Sequence, residues 1–329
     1  GRHLAGVTLP GIPFVISGRN DNVAWGVTAM MADQTDFFVE VLDSADRRKV
    51  LRDGRWESLR QLRDTIDVKD SASVPIVVRI TRHGPVISDV DPWIGKDRMN
   101  ASSWGTSRDT VISMQWVGAQ PTNELTALQE LNESRDLKTF TTGARKGGVP
   151  GISVVYADSA GTIAYVPTAS IPQREWSPVP RRGWESQSDW HGLVPMDRLP
   201  SLTSPPEGYV AAANNKVANA TSYTISELWE DPSRAIRLGE LLKEGNGFNV
   251  TDFGQIQADV VSPHMRFLIG YLLRAFPDSA RQGSAVRDAL TRLKNWDAGM
   301  RDGGPEGAIA AVWLQTVIQA TYRDEMGPE

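Results

Sequence analysis

The chain has 329 residues, 40% hydrophobic and 23% charged, an ordinary globular composition with enough length for one large domain or two smaller ones. Its 35 basic and 40 acidic residues leave a net charge of −5, so no basic surface points to a nucleic acid partner. There is no cysteine, which excludes disulfides, thiolate catalysis and cysteine-ligated zinc.

The first residues already read as mid-domain: Thr8-Leu9-Pro10-Gly11-Ile12-Pro13 leads straight into an expected strand over Phe14 to Ser17. With Gly1 in place of methionine and no signal segment, the expectation is a processed chain or a fragment. Val23, Trp25 and Val27 alternate with Ala24, Gly26 and Thr28, the period of a half-buried strand. Asp36–Val41, Val74–Thr81 and Val86–Ile87 also carry strand composition. Asp53-Gly54 supplies the positive φ of a tight turn, so residues 48–56 are expected to form a hairpin. His83-Gly84-Pro85 makes a turn between two apolar strands.

From Pro121 the apolar period becomes helical, and residues 122–145 are expected to hold one or two helices. Ile152–Ala157 and Thr162–Val166 form a hairpin around Asp158-Ser159-Ala160-Gly161. The segment 167–206, rich in Pro, Arg and Trp, is expected to drape over a core in extended form. Beyond Asn214-Asn215 the chain turns helical, with Ser233 and Thr251 expected as N-caps and helices continuing through 268–276, 285–296 and 308–322. The longest apolar helical run, Ala308–Ile318, is too short to cross a bilayer. The expected class is α+β, with a β-rich part over 1–218 and a mainly helical part over 219–329.

Standard catalytic signatures are missing: no GxSxG elbow, no Walker loop, no GxGxxG after a strand and no HExxH. The four histidines, His3, His83, His191 and His264, are isolated, and a lone histidine is more often structural than catalytic. An enzyme built on this chain takes its base from something other than histidine, or from outside these residues.

One ordered set of motifs fits that constraint. GVTLPGIPFVISGRNDNVAWGVTAMMADQTDFFVE, Arg82-His83-Gly84-Pro85-Val86, Val155-Tyr156-Ala157-Asp158, Ile171-Pro172-Gln173-Arg174, Trp190-His191-Gly192, Ala213-Asn214-Asn215-Lys216 and Asn295-Trp296-Asp297 follow one another along nearly the whole chain. In that order they resemble the large subunit of penicillin acylase-family enzymes, which are N-terminal-nucleophile hydrolases. The resemblance implies an αββα sandwich, of which this chain would be a fragment of one domain, and a precursor cut so that a serine becomes the first residue of the large subunit. The α-amino group of that serine, ordinarily titrating near about 7.7–8.0, would act as base. No serine opens this chain, so the resemblance places the nucleophile upstream of Gly1 and leaves the fragment inactive alone.

The resemblance also implies roles for particular residues. Ala29 would lend its main-chain N–H to an oxyanion hole, Asn214 its side-chain amide, and Arg234 would help organise the site. Read by themselves, Asn214-Asn215 are a turn pair and Arg234 is a solvated helix charge. Ser17, Val27, Met30, Met31 and Ile152 match positions lining an acyl pocket, with core packing the alternative for Met30 and Ile152. Ser17 and Met31 replace aromatic positions, so an aliphatic or other non-phenyl acyl group is expected. Asp33, Thr35, Asp36 and Glu175 match ligands of a structural Ca²⁺, the two aspartates otherwise being solvated acids; the acid completing that site is not evident in Asn219-Ala220-Thr221. The implied activity is hydrolysis of an acyl amide, whether a β-lactam side chain, an acyl-homoserine lactone or similar. The implied partners are the small subunit and the remainder of the large subunit, in a periplasmic or extracellular location, with no nucleic acid, membrane or organic cofactor. A binding or structural remnant that has lost its nucleophile is the alternative.

Overall fold

The computed structural model describes residues 3–90, 109–218, 221–245, 247–277, 281–301 and 303–326. Its contacts divide the chain into two units: residues 1–205 with 217–229, and residues 206–216 with 230–329. The division is not a single cut near 218, because the segment carrying Asn214 belongs to the helical unit and the next thirteen residues return to the β-rich one.

The first unit holds β1 (Ala5–Val7), β2 (Ser17–Arg19), β3 (Val23–Ala29), β4 (Thr35–Val41), β5 (Lys49–Arg52), β6 (Arg55–Ser58), β7 (Arg60–Ile66), β8 (Val74–Ile80), β9 (Thr110–Trp116), β10 (Ile152–Asp158), β11 (Ile163–Thr168), β12 (Arg181–Arg182) and β13 (Leu202–Thr203). The helices α1 (Glu124–Glu133) and α2 (Leu137–Ala144) lie between β9 and β10. Strands pair in the order β1-β2-β3-β10-β11-β13, with a second sheet β12-β4-β9 and two ribbons, β5-β6 and β7-β8. The alternation read in β3 is real: Val23 and Trp25 are buried with Val154 and Tyr156 of β10, Ala164 and Val166 of β11, and Leu131, Phe140 and Ala144 of the two helices. One face of the large sheet therefore rests on α1 and α2, as an apolar stripe on each helix requires.

Several expectations shift. The strand expected over 14–17 begins only at Ser17, since Val15 gives its N–H and C=O to the side chain of Asn132 (2.8 and 2.7 Å) instead of to a neighbouring strand. Val86 makes a single bridge to Ser113 and Ile87 enters a 3₁₀ turn. The Asp53-Gly54 hairpin forms with both residues at positive φ (44° and 77°).

In β4 the two-residue period puts Asp36, Phe38 and Glu40 on one buried face. His83, from the His-Gly-Pro turn, stacks on Phe38 with ring centroids 3.8 Å apart and 2° between planes. Its Nδ1 lies 2.8 Å from Glu40 Oε1 and its Nε2 2.9 Å from Asp189 Oδ1. Ionised carboxylates only accept, so the ring satisfies both as an imidazolium. Ser113 also donates to Glu40 at 2.7 Å, and Arg52 grips Asp189 with two nitrogens, at 3.1 and 2.5 Å. Two cations thus balance two anions in the interior. His83 is structural, and this is its structure.

The second unit contains α3 (Ser233–Glu244), α4 (Val250–Gln257), α5 (Pro263–Ala275), α6 (Ser284–Asn295) and α7 (Glu306–Met326). Ile269, Leu272, Leu290, Leu293 and Ala310 form its core. Neither expected cap is the cap. Asn249 accepts from the amides of Thr251 and Asp252 and so starts α4, while Ser233 is the first residue of α3 and its amide donates to Asp231 at 2.9 Å. Asn and Asp present a carboxamide or carboxylate oxygen at the reach these N–H groups need. Among the described residues, no helix is long and apolar enough to cross a membrane.

Candidate functional site

The end of β3 carries the first group of expected site residues. Ala29 stands opposite Ile152 of β10, and the Met30 amide donates to the Gly151 carbonyl at 3.0 Å. Successive residues on an antiparallel strand turn their N–H groups to opposite edges. The exposed Ala29 therefore directs its N–H toward the β2 edge, beyond the Gly18–Trp25 pair where β2 and β3 stay in register. After Met30 comes Met31, which holds a left-handed backbone (φ 61°). Such a conformation is unusual for a long side chain and persists where the surroundings over-determine it.

Those surroundings centre on Gln34. Its Nε2 donates to the carbonyls of Gly148 (2.6 Å) and Ser170 (2.9 Å), and its Oε1 accepts from the Gly151 amide at 2.7 Å. Gly151 is tightly enclosed, since a Cβ there would lie 3.0 Å from the Cβ atoms of both Ala32 and Ala169.

Sheet geometry sorts the expected pocket residues onto different surfaces. Val27 and Ile152 share the face that carries Val154, diagonal neighbours beside Ala29. Met30 is on the other face and fully buried, among Ala169, Ile171, Val194, Leu199 and Ile225. Ser17 lies over Gly26, where a Cβ would come 3.9 Å from its Oγ, and donates to the Trp25 carbonyl at 3.3 Å. Met31 lines a separate cavity of about 680 Å³ with Asp33, Thr35 and Asp36. The structure brings Val27 and Ile152 together and puts Ser17, Met30 and Met31 elsewhere.

The two aspartates already hold a cation. Arg174, with no exposed side-chain surface, sets Nη2 2.8 Å from Asp33 Oδ2 and Nε 2.5 Å from Asp36 Oδ2. Trp190 Nε1 donates to that same Asp36 oxygen at 2.5 Å. Burial pushes the Asp33 carboxyl above its ordinary range, and Asp36 adds repulsion, against the pull of Arg174 and a hydrogen bond from the Thr35 amide. Glu175 is exposed and its carbonyl accepts from Arg181; the cavity is lined instead by Trp176 to Pro180 and by Ser226, Glu227 and Leu228. Among the described residues, no three acids or histidines stand close enough to hold a metal. Two carboxylates and a carbonyl fall short of the six to eight oxygens Ca²⁺ takes, so the residues described do not form a calcium cage on their own. Asn219 and Ala220 lie outside the described residues.

In the second unit Asn214 also has a left-handed backbone (φ 60°), which asparagine tolerates well. Arg234, one residue into α3, donates from Nη2 to Asn214 Oδ1 at 2.9 Å and to the Ala213 carbonyl at 3.0 Å. Arginine only donates, so the carboxamide oxygen must face it and the NH₂ group is turned the other way. Arg234 is thus not a loose helix-surface charge: it fixes the orientation of Asn214.

The family model described as penicillin amidase matches residues 1–329. The chain belongs to the penicillin amidase family. This penicillin amidase-family chain is 24% identical over 341 residues to the acyl-homoserine lactone acylase QuiP of Pseudomonas aeruginosa, covering 99% of this chain and 40% of that protein. It is 30% identical over 315 residues to the penicillin acylase 2 proenzyme of Pseudomonas sp. strain SE83, covering 93% and 38%. A thermostable penicillin G acylase from Alcaligenes faecalis shares the fold, with a TM-score of 0.75 and 22% identity over 98% of this chain and 61% of that one. The chain spans about 40% of the length of the curated relatives it matches. The sequence assigns no role to Gln34 and shows Arg174 only as part of a motif. Nothing local could assign them, since their partners lie 114 to 141 positions away.

Proposed function

We propose that this chain supplies the oxyanion-stabilising part of an amidohydrolase that cleaves a linear acyl amide. The observation that carries the reading is the Arg234–Asn214 bond, which commits the carboxamide oxygen to Arg234 and leaves its NH₂ on the side away from the guanidinium as the donor. The main-chain N–H of Ala29 is the other donor. On this reading a serine outside residues 1–329, with its own α-amino group as base, adds its oxygen to the amide carbonyl. An N–H donor of this kind takes the negative charge that develops on the carbonyl oxygen. The amine leaves with the proton, and water then releases the acid from the serine ester.

Val27 and Ile152, apolar and adjacent to Ala29, favour an aliphatic or other non-phenyl acyl group. The relatives, an acyl-homoserine lactone acylase and a penicillin acylase, bracket the range of amines. The small subunit and the rest of the large subunit complete the enzyme, which belongs outside the cytoplasm. Calcium belongs to this reading only in the whole protein, where oxygens from other segments would join Asp33, Thr35 and Asp36.

The test is Asn214→Ala in the complete, processed protein. Removing one oxyanion donor is expected to lower kcat by about 10²–10³-fold, with the fold retained and a melting temperature lowered only by the left-handed alanine. Unchanged kcat would sink the assignment. An upstream position without Ser, Thr or Cys would leave a binding module instead.

A further inference from the structure

We propose that Gln34 is a positioning residue that sets the orientation of the Ala29 amide. The inference rests on Ala29 being an oxyanion donor and goes further, naming the side chain that holds the donor in place. Gln34 is almost wholly buried, at 9% exposure. One of its three hydrogen bonds closes a ring with the main chain: Oε1 takes the Gly151 amide (2.7 Å), the Gly151 carbonyl takes the Met30 amide (3.0 Å), and the chain returns from Met30 to Gln34, while the two Nε2 bonds to Gly148 and Ser170 anchor the side chain. Ala29 enters this ring directly, because its Cα joins the peptide plane carrying its own N–H to the plane carrying that of Met30.

The ring needs an amide. Two carbonyls, Gly148 and Ser170, face one end of the side chain, and an N–H, Gly151, faces the other. Glutamine is the side chain of this length with two donors on one atom and an acceptor on the next. A glutamate of the same shape would set an anion against two carbonyl oxygens. The loop cannot close the gap itself, since Gly151 is already hemmed in by Ala32 and Ala169. The left-handed Met31 lies inside the ring, where the three bonds hold it. Without them Met31 is free to relax to an ordinary backbone conformation and rotate the end of β3.

The experiment compares wild type, Gln34→Met, Gln34→Glu and Asn214→Ala in the complete protein. Cleavage is verified by mass, turnover is followed on a chromogenic acyl amide, and melting curves run alongside. Gln34→Met is expected to lower kcat by about 10²-fold with KM nearly unchanged, the cost of a small misplacement of a catalytic group. Gln34→Glu, which sets an anion against two carbonyls, is expected to lower kcat likewise with KM nearly unchanged. A merely structural role would not separate kcat from KM in this way. Wild-type kcat in Gln34→Met, or a rise in KM alone, overturns the proposal while leaving Asn214→Ala diagnostic. If Gln34→Met fails to fold, wild-type kcat in Gln34→Glu overturns it. Full activity in Asn214→Ala instead removes the oxyanion reading, and this inference with it.

Discussion

Replacing Glu40 by glutamine tests whether the buried cluster beneath β4 is ionic. Glu40 is 1% exposed and accepts from His83 and Ser113. Its neutral isostere leaves His83 and Arg52 with Asp189 as the one anion bonded to both. Breaking a buried pair from one side costs about 3–5 kcal/mol. The substituted carboxamide keeps an acceptor oxygen, which puts the expected loss near the lower end, about 3 kcal/mol. For a unit of this size each kcal/mol moves the melting temperature by roughly 2–4 °C, giving about 6–12 °C.

The pH dependence has a definite sign. Burial alone would raise the Glu40 carboxyl, but the bonds from His83, Ser113 and Thr81 outweigh it and hold it below its ordinary 4.5. A depressed carboxyl contributes stability that is complete above its unfolded value and lost as pH falls through its folded one. The gap between wild type and Glu40→Gln should therefore be constant from about pH 6 to 7 and shrink below about pH 4.5. Calorimetry across that range is the assay. Equal melting temperatures at neutral pH, or a gap that widens in acid, would refute an ionised Glu40 paired to an imidazolium.

Three further outcomes are expected. Gly84 sits at φ 140°, where a Cβ would come 2.1 Å from the Met114 carbonyl oxygen; Gly84→Ala should cost about 2–4 kcal/mol, and an unchanged urea midpoint contradicts the geometry. Titrating the complete protein with a calcium chelator should lower its melting temperature if further oxygens complete the Asp33–Asp36 set, and an unmoved melting temperature argues against a bound ion. Across a panel of acyl amides, kcat/KM should favour aliphatic chains, and a clear preference for phenylacetyl counts against Val27 and Ile152 as the acyl surface.

The sequence by itself determined the elements whose cause is local. The alternation in β3, the strand composition of β4, the Asp53-Gly54 turn, the helical period from Pro121 and the hairpin over 152–168 all reappear, because each follows from the pattern of side chains within a few residues. The family was legible too, through short motifs in a fixed order. Two of the seven-residue strands were not. β7 is almost wholly exposed and β9 buries Val111, Ile112 and Ser113 in succession, so neither shows a clean two-residue period. Tertiary structure alone decided which neighbour each polar side chain meets. Asp36 found Arg174 rather than a ring of oxygens, Gln34 found Gly151, and His83 found two carboxylates. It also put Met30 and Val27 on opposite faces of one sheet. Hydrogen bonds and ion pairs act over about 3 Å, while these partners are 43 to 138 residues apart in the chain; only folding brings them within reach.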